Sequence, residues 1–184
     1  LTPGLAVQEA RLDGRPVALV AEGGVWRLPP GASGRALEAR YGGKVATEPG
    51  AGPPLLGPEG GFLPAGTGWL PEREGAVPGP IELTLDAPEP YAAVATGRLV
   101  EERREGGRYR ATFAVEAGEE PPSAFVGAWR IDERRAGPVA LRTYFPPEQA
   151  GLSGLYLDNA ARYLDMLEAR IGPYPYPGFA VVAG

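Results

Sequence analysis

Four short stretches of this 184-residue chain carry side chains with chemical potential. In "GWLPEREG" Glu72 and Glu74 flank Arg73, and Glu119 and Glu120 are adjacent. Paired carboxylates can divide the roles of acid and base when burial and mutual repulsion push their pKa values apart. Glu119-Glu120 run directly into Pro121-Pro122, which marks an exposed turn rather than a dry pocket. Glu72 and Glu74 are better placed, inside a long excursion, but still read as solvated or structural. "GLSGL", Gly151–Leu155, half matches a nucleophile elbow, with Leu155 where the second glycine belongs. Ser153 is read instead as a helix N-cap. "YGGKV" contains Gly43-Lys44, yet Val45 stands in place of the hydroxyl residue of a phosphate loop and Glu38 in place of its first glycine.

The inventory closes off most enzymatic readings. The sequence holds no histidine and no cysteine. It can therefore build no Ser-His-Asp triad, no imidazole base and no histidine- or thiolate-ligated zinc of its own. The net charge is −5, and Lys44 is the one lysine among 18 basic residues, which are interspersed with acids. That argues against a nucleic-acid or anionic-membrane partner. No stretch is long and apolar enough to be a membrane-spanning helix. The first residue is Leu1 rather than methionine, so residues upstream are expected. The compartment stays open between cytoplasm and export.

Glycine (28) and proline (22) are abundant, yet 43% of residues are hydrophobic, so many turns between short strands are expected rather than disorder. Period-two alternation marks Ile81, Leu83 and Leu85 in "IELTLD", and Tyr109, Ala111, Phe113 and Val115 in "RYRATFAVE". It recurs with Val139, Leu141 and Phe145, and with Leu37, Ala39 and Tyr41. Gly106-Gly107 predicts a type I′ hairpin placing Glu105 opposite Arg108, which makes "EERREGGRYR" a solvated tip. From Glu48 to Pro80 the chain is rich in glycine and proline but also carries Leu55, Leu56, Phe62, Leu63, Trp69 and Leu70. That predicts an ordered excursion rather than a linker. One helix is expected, with Leu157, Ala161, Leu164, Leu167 and Ile171 as its apolar stripe and Gly172 as a left-handed C-terminal cap. The fold class predicted is mainly β: antiparallel sheets forming a β-sandwich or saddle-shaped domain with one C-terminal α-helix. Residues 1–150 form the β domain and 151–184 the helix with a following strand.

The order of these features carries a resemblance. "YGGKV" closes a strand and "GFLPAGTGWLPE" (Gly61–Glu72) follows. "IELTLDAPEPYAAVATGRLVEE", "AFVGAWRI" and "ALRTYFPPE" lead into the helix, which ends in "IGPYPYPGFAVV" (Ile171–Val182). From about Leu5 onward the chain resembles the amino-terminal domain of the aminopeptidase N-like zinc metallopeptidases, peptidase family M1.

The resemblance implies a non-catalytic domain that braces a thermolysin-like catalytic domain and walls its substrate cleft. Zinc is expected there, on an HExxH helix and a downstream glutamate lying beyond Gly184, with no cofactor in this chain. The expected partners are that catalytic domain and, through it, a peptide substrate. The apolar run to Gly184 then resembles the first strand of the catalytic domain. Family members carry a Thr-Gln-x-Glu-type segment that helps bind the substrate's amino terminus. Here "FLPAGTGWLPE" takes its place without a matching acid, leaving Thr67 and Trp69 as the residues expected to face the cleft. The alternative reading is a stand-alone β-sandwich module binding carbohydrate or protein. Such a module would display a patch of aromatics on one strand face, and Trp26, Trp69 and Trp129 stand in separate segments of the sequence.

Overall fold

The computed structural model describes residues 1–2, 4–45, 54–72, 75, 77 and 79–183. Arg73 and Glu74 of the Glu72/Glu74 pair, and part of the Glu48–Pro80 excursion, lie outside the described residues. The chain packs as two units, Leu1–Gly57 with Phe62–Ala76, and Pro58–Gly61 with Val77–Gly184.

In the first unit β1 (Leu5–Leu12) and β2 (Arg15–Pro16) form a hairpin through Asp13-Gly14. Both turn residues have positive φ, 49° and 77°, as a type I′ turn requires. The Asp13 carboxylate then accepts the Arg35 and Ala36 N–H groups at 3.0 and 2.9 Å, anchoring the returning chain. A small ribbon, β3 (Val20–Glu22) with β4 (Val25–Arg27), precedes β5 (Leu37–Gly43). β5 pairs antiparallel with β1 along its length, with an irregularity between Val7 and Glu9. The strand expected around Leu37, Ala39 and Tyr41 is present, but Leu37 is 51% exposed and only Tyr41 is half-buried. As the edge of a three-stranded sheet, β5 is held by main-chain bonds to β1 rather than by burying that face. In the excursion, β6 (Leu55–Gly57) and β7 (Gly60–Leu63) are the arms of a hairpin.

The second unit begins with β8 (Ile81–Pro88), β9 (Ala92–Ala95), β10 (Arg98–Glu105) and β11 (Arg108–Val115). β11 is the middle strand between β10 and β8. Its Tyr109, Ala111, Phe113 and Val115 are all buried and stand opposite Ala87, Leu85, Leu83 and Ile81 of β8. The predicted alternation is thus one continuous cross-strand face. Gly106 and Gly107 take φ of 59° and 72°, and Glu105 pairs with Arg108 in register. The Arg108 guanidinium, however, turns to Asp86 at 2.5 Å, and Arg110 holds the other oxygen of the same carboxylate at 2.5 Å. Two hydrogen-bonded guanidiniums, Arg110 and Arg108, keep the Asp86 carboxyl below its ordinary value.

β12 (Ala124–Gly127) pairs with the wholly buried β9, and β13 (Arg130–Ala136) pairs with β14 (Val139–Phe145). A 3-10 turn, Pro147–Leu152, then feeds α1 (Ser153–Ile171). The helix crosses back so that β15 (Gly178–Val182) lies parallel to β14, in a β14–α1–β15 unit. Ser153 is not the N-cap. Leu152 holds that position in a helical conformation without a side-chain bond, because the 3-10 turn already supplies carbonyls to the first N–H groups. The Ser153 hydroxyl is buried and meets the Thr143 hydroxyl at 2.5 Å, tying α1 to β14. Gly172 does cap the helix at positive φ, but with ψ of 177° rather than in the left-handed helical region. An extended ψ sends the chain away toward β15, and few residues other than glycine adopt that combination.

β14 is packed on both faces. Toward α1 it presents Val139 and Leu141, which form a buried cluster with Leu157 and Leu164. From its other face Arg142 donates to Glu102 on β10 at 2.6 Å, to Glu133 on β13 at 2.7 Å and to the Tyr144 hydroxyl at 3.1 Å. The Tyr109 hydroxyl donates to Glu102 at 2.6 Å. The Arg142 and Glu102 side chains are only 16% and 24% exposed. Burial alone would raise the Glu102 pKa, but the hydrogen bonds from Arg142 and Tyr109 outweigh it and hold the carboxyl below its ordinary value.

A carboxylate whose pKa is lower in the folded state contributes stability above its unfolded pKa and loses it as pH falls through the folded one. Urea unfolding midpoints are therefore expected to be level above about pH 5 and to fall with acid, and Glu102→Gln should flatten part of that fall. Arg142→Met should cost about 2–4 kcal/mol at pH 7, since it leaves Glu102 half-buried without its cation. A separate packing test concerns Gly127, where a Cβ would sit 2.3 Å from the Trp129 ring. Gly127→Ala is expected to lower stability by about 1–3 kcal/mol.

Candidate interaction site

A groove of about 840 Å³ lies between the outer side of α1 and β15. Tyr156, Tyr163, Leu167, Ile171, Tyr174 and Phe179 are among its walls. Its floor and edge are set by the helix exit. Pro173, Pro175 and Pro177 restrict the connector, and Glu168 accepts the Tyr174 N–H at 3.0 Å. Tyr174 meets Tyr176 and Phe179 edge-on at centroid distances of 5.5 and 6.3 Å. Burial pushes the Tyr174 phenol up from its ordinary value, with Tyr176 adding to it. An apolar groove of this kind binds by removing hydrocarbon from water.

The helix explains the groove. At 100° per residue, Leu157, Ala160, Ala161 and Leu164 face the β14 core. Leu155, Met166, Tyr163, Tyr156 and Leu167 occupy roughly the next third of the circumference and are all exposed. Asp158, Arg162 and Asp165 lie in the rest, while Asn159 and Arg170 are polar members of the outer arc itself. Ile171, the last member of the expected apolar stripe, is 80% exposed. The predicted stripe therefore divides, with its N-terminal part in the core and its C-terminal part in the groove.

The other candidates are placed as follows. Thr67 closes a local turn by donating to the Pro64 carbonyl at 2.8 Å. Trp69 is buried, and its carbonyl accepts the Tyr41 hydroxyl at 2.9 Å. Trp129 is committed to its own unit: its ring stands edge-on to Tyr144 at 5.7 Å and its indole N–H donates to the Ala183 carbonyl at 2.9 Å. Neither indole is free to form an aromatic binding patch. Glu72, Glu119 and Glu120 are exposed. No group of three His, Cys, Asp or Glu side chains able to hold a metal occurs among the described residues. The groove itself was half legible: its apolar residues stood in the sequence as a helical stripe, but the Tyr-Pro connector that closes it was read only as a motif.

A strand-rich scaffold with a parallel βαβ appendage has counterparts among solved structures. The M1 zinc metallopeptidase from Deinococcus radiodurans superposes with a TM-score of 0.63 at 24% identity, covering 98% of this chain and 47% of that one. Its E323A mutant superposes with a TM-score of 0.66 at 22% identity over the same shares. Legionella pneumophila aminopeptidase A in complex with aspartic acid gives a TM-score of 0.70 at 13% identity, covering 98% of this chain and 24% of that chain. The chain thus has the fold of a part of these peptidases and spans about half the length of the Deinococcus enzyme. No family model and no curated protein sequence matches it.

If the outer arc and the last turn of α1 are a contact face rather than part of the core, their residues should be replaceable. Ile171→Asp is expected to change unfolding free energy by no more than about 0.5 kcal/mol. Leu164→Ala, at a site 7% exposed, should cost about 2–4 kcal/mol. Parallel urea denaturation of the two variants checks the contrast.

Proposed function

We propose that this chain is the non-catalytic amino-terminal domain of an M1-like zinc aminopeptidase, bracing the catalytic domain and walling one side of its substrate cleft. The observation that carries this reading is the unpartnered apolar arc of α1. It sits beside β15, in a chain whose fold matches M1 peptidases over 98% of its own length and about half of the Deinococcus enzyme's. Residues 151–184 are the segment that leads into the catalytic domain, and α1 is the face on which that domain rests. Peptide reaches this chain only through the parent's cleft, toward which Thr67 and Trp69 are proposed to look. A buried indole and a turn-closing hydroxyl suit a wall better than a ligand-gripping pair. Zinc, water activation and proton transfer are assigned to the other domain, because a chain without histidine cannot supply the two histidine ligands of an HExxH site.

The longer polypeptide tests the proposal. Its sequence is expected to show HExxH within roughly the next hundred residues after Gly184. The present chain, purified and dialysed, should retain no stoichiometric zinc by elemental analysis and release no product from aminoacyl-p-nitroanilides. A stop codon following Gly184, or one zinc per chain, would overturn the reading. Sedimentation velocity on the isolated chain adds a second check: the uncovered arc should produce concentration-dependent association that Tyr163→Glu with Leu167→Glu abolishes.

A further inference from the structure

A chain of contacts runs from β10 to the far end of β15. Glu102 fixes the Arg142 guanidinium, and Arg142 donates to the Tyr144 hydroxyl. The Tyr144 ring meets the Trp129 indole edge-on, and the indole N–H donates to the Ala183 carbonyl. The neighbouring Ala183 N–H donates to the Tyr144 carbonyl at 3.0 Å, so both main-chain groups of Ala183 are held within the same cluster. We propose that this relay is a conformational clamp that makes the seating of β15 depend on the charged Glu102–Arg142 pair.

β15 needs such a clamp. Among the described residues it has one strand neighbour, β14, and joins it in the parallel sense, which is slightly weaker per residue than antiparallel pairing. Its residues Gly178, Phe179 and Ala180 are exposed, so burial contributes little at its start. The Trp129 N–H is a donor of fixed direction. Its direction follows the ring, which is confined between Gly127, where no Cβ fits, and Tyr144. Tyr144 is in turn held through its hydroxyl by Arg142. Loss of the charge pair releases the tyrosine, then the indole, then the end of the strand.

Amide hydrogen exchange on the present chain tests this, with the Trp129 indole N–H followed by NMR. Trp129→Phe keeps an aromatic ring but removes the donor, and should speed exchange at Val182 and Ala183 about tenfold relative to β8 amides. Arg142→Met should reproduce that local pattern. Glu102→Gln keeps the shape of the acid and should shift the Trp129 indole resonance without unfolding the chain. Asp86→Asn, which disrupts an ion pair outside the relay, should leave β15 exchange and the indole signal unchanged. The clamp is overturned if β15 and β8 amides accelerate equally in Trp129→Phe, or if the indole resonance is unmoved in Glu102→Gln.

Discussion

The guanidinium of Arg142 is the constraint on which the second unit turns. A cation this far from water is stable only while carboxylates face it, and Glu102 and Glu133 do so from different strands. Burial would lower the Arg142 pKa; the hydrogen bonds to Glu102, Glu133 and the Tyr144 hydroxyl more than restore it. The pair therefore stays charged across the neutral range. A planar fork satisfied in three directions also fixes how β14 lies relative to β10, which greasy contacts alone would leave free to slide.

From that anchored strand the remainder follows by alternation. Residues 139, 141, 143 and 145 point one way and residues 140, 142 and 144 the other. The first set is apolar apart from Thr143, whose hydroxyl is satisfied by Ser153. A buried hydroxyl pair costs little when both partners are met and would cost more if either were lost. It thus fixes the longitudinal position of α1 on β14, while Leu157 and Leu164 supply the bulk of the burial.

How much of this stood in the sequence depends on what stabilises each element. β8 and β11 were legible because one face of each is buried against its neighbour, so period two survives in the residue types. The Gly106-Gly107 turn was legible because positive φ restricts the choice of residue. β9, "AAVA", carries no alternation since both faces are covered. β13, "RIDERRA", looks like a solvated run; cross-strand pairing with β14 and the ion pairs Arg142–Glu133 and Arg134–Asp158 hold it instead. Asp13-Gly14 offered the same turn signal as the glycine pair and was overlooked beside it. Ser153 has the right residue type for a cap, but a preceding 3-10 turn, invisible to periodicity, freed its hydroxyl for another partner. The groove was only half legible because a stripe of leucines does not reveal where its covering sheet ends.

That end can be argued from dimensions. A 19-residue helix is about 28 Å long, and a seven-residue strand such as β14 about 23 Å. The last turn of α1 must therefore project beyond the strand, and Ile171 is there. The sheet is narrow as well as short. With the Pro177 carbonyl and the Ala183 N–H turned to β14, the alternation of a parallel strand directs the main-chain groups of Gly178, Ala180 and Val182 to the open edge. That edge carries none of the lysines, prolines or inward charges by which exposed strands usually avoid pairing. An apolar helix flank and an unguarded strand edge on the same βαβ unit both favour the proposal that further protein is laid against this layer.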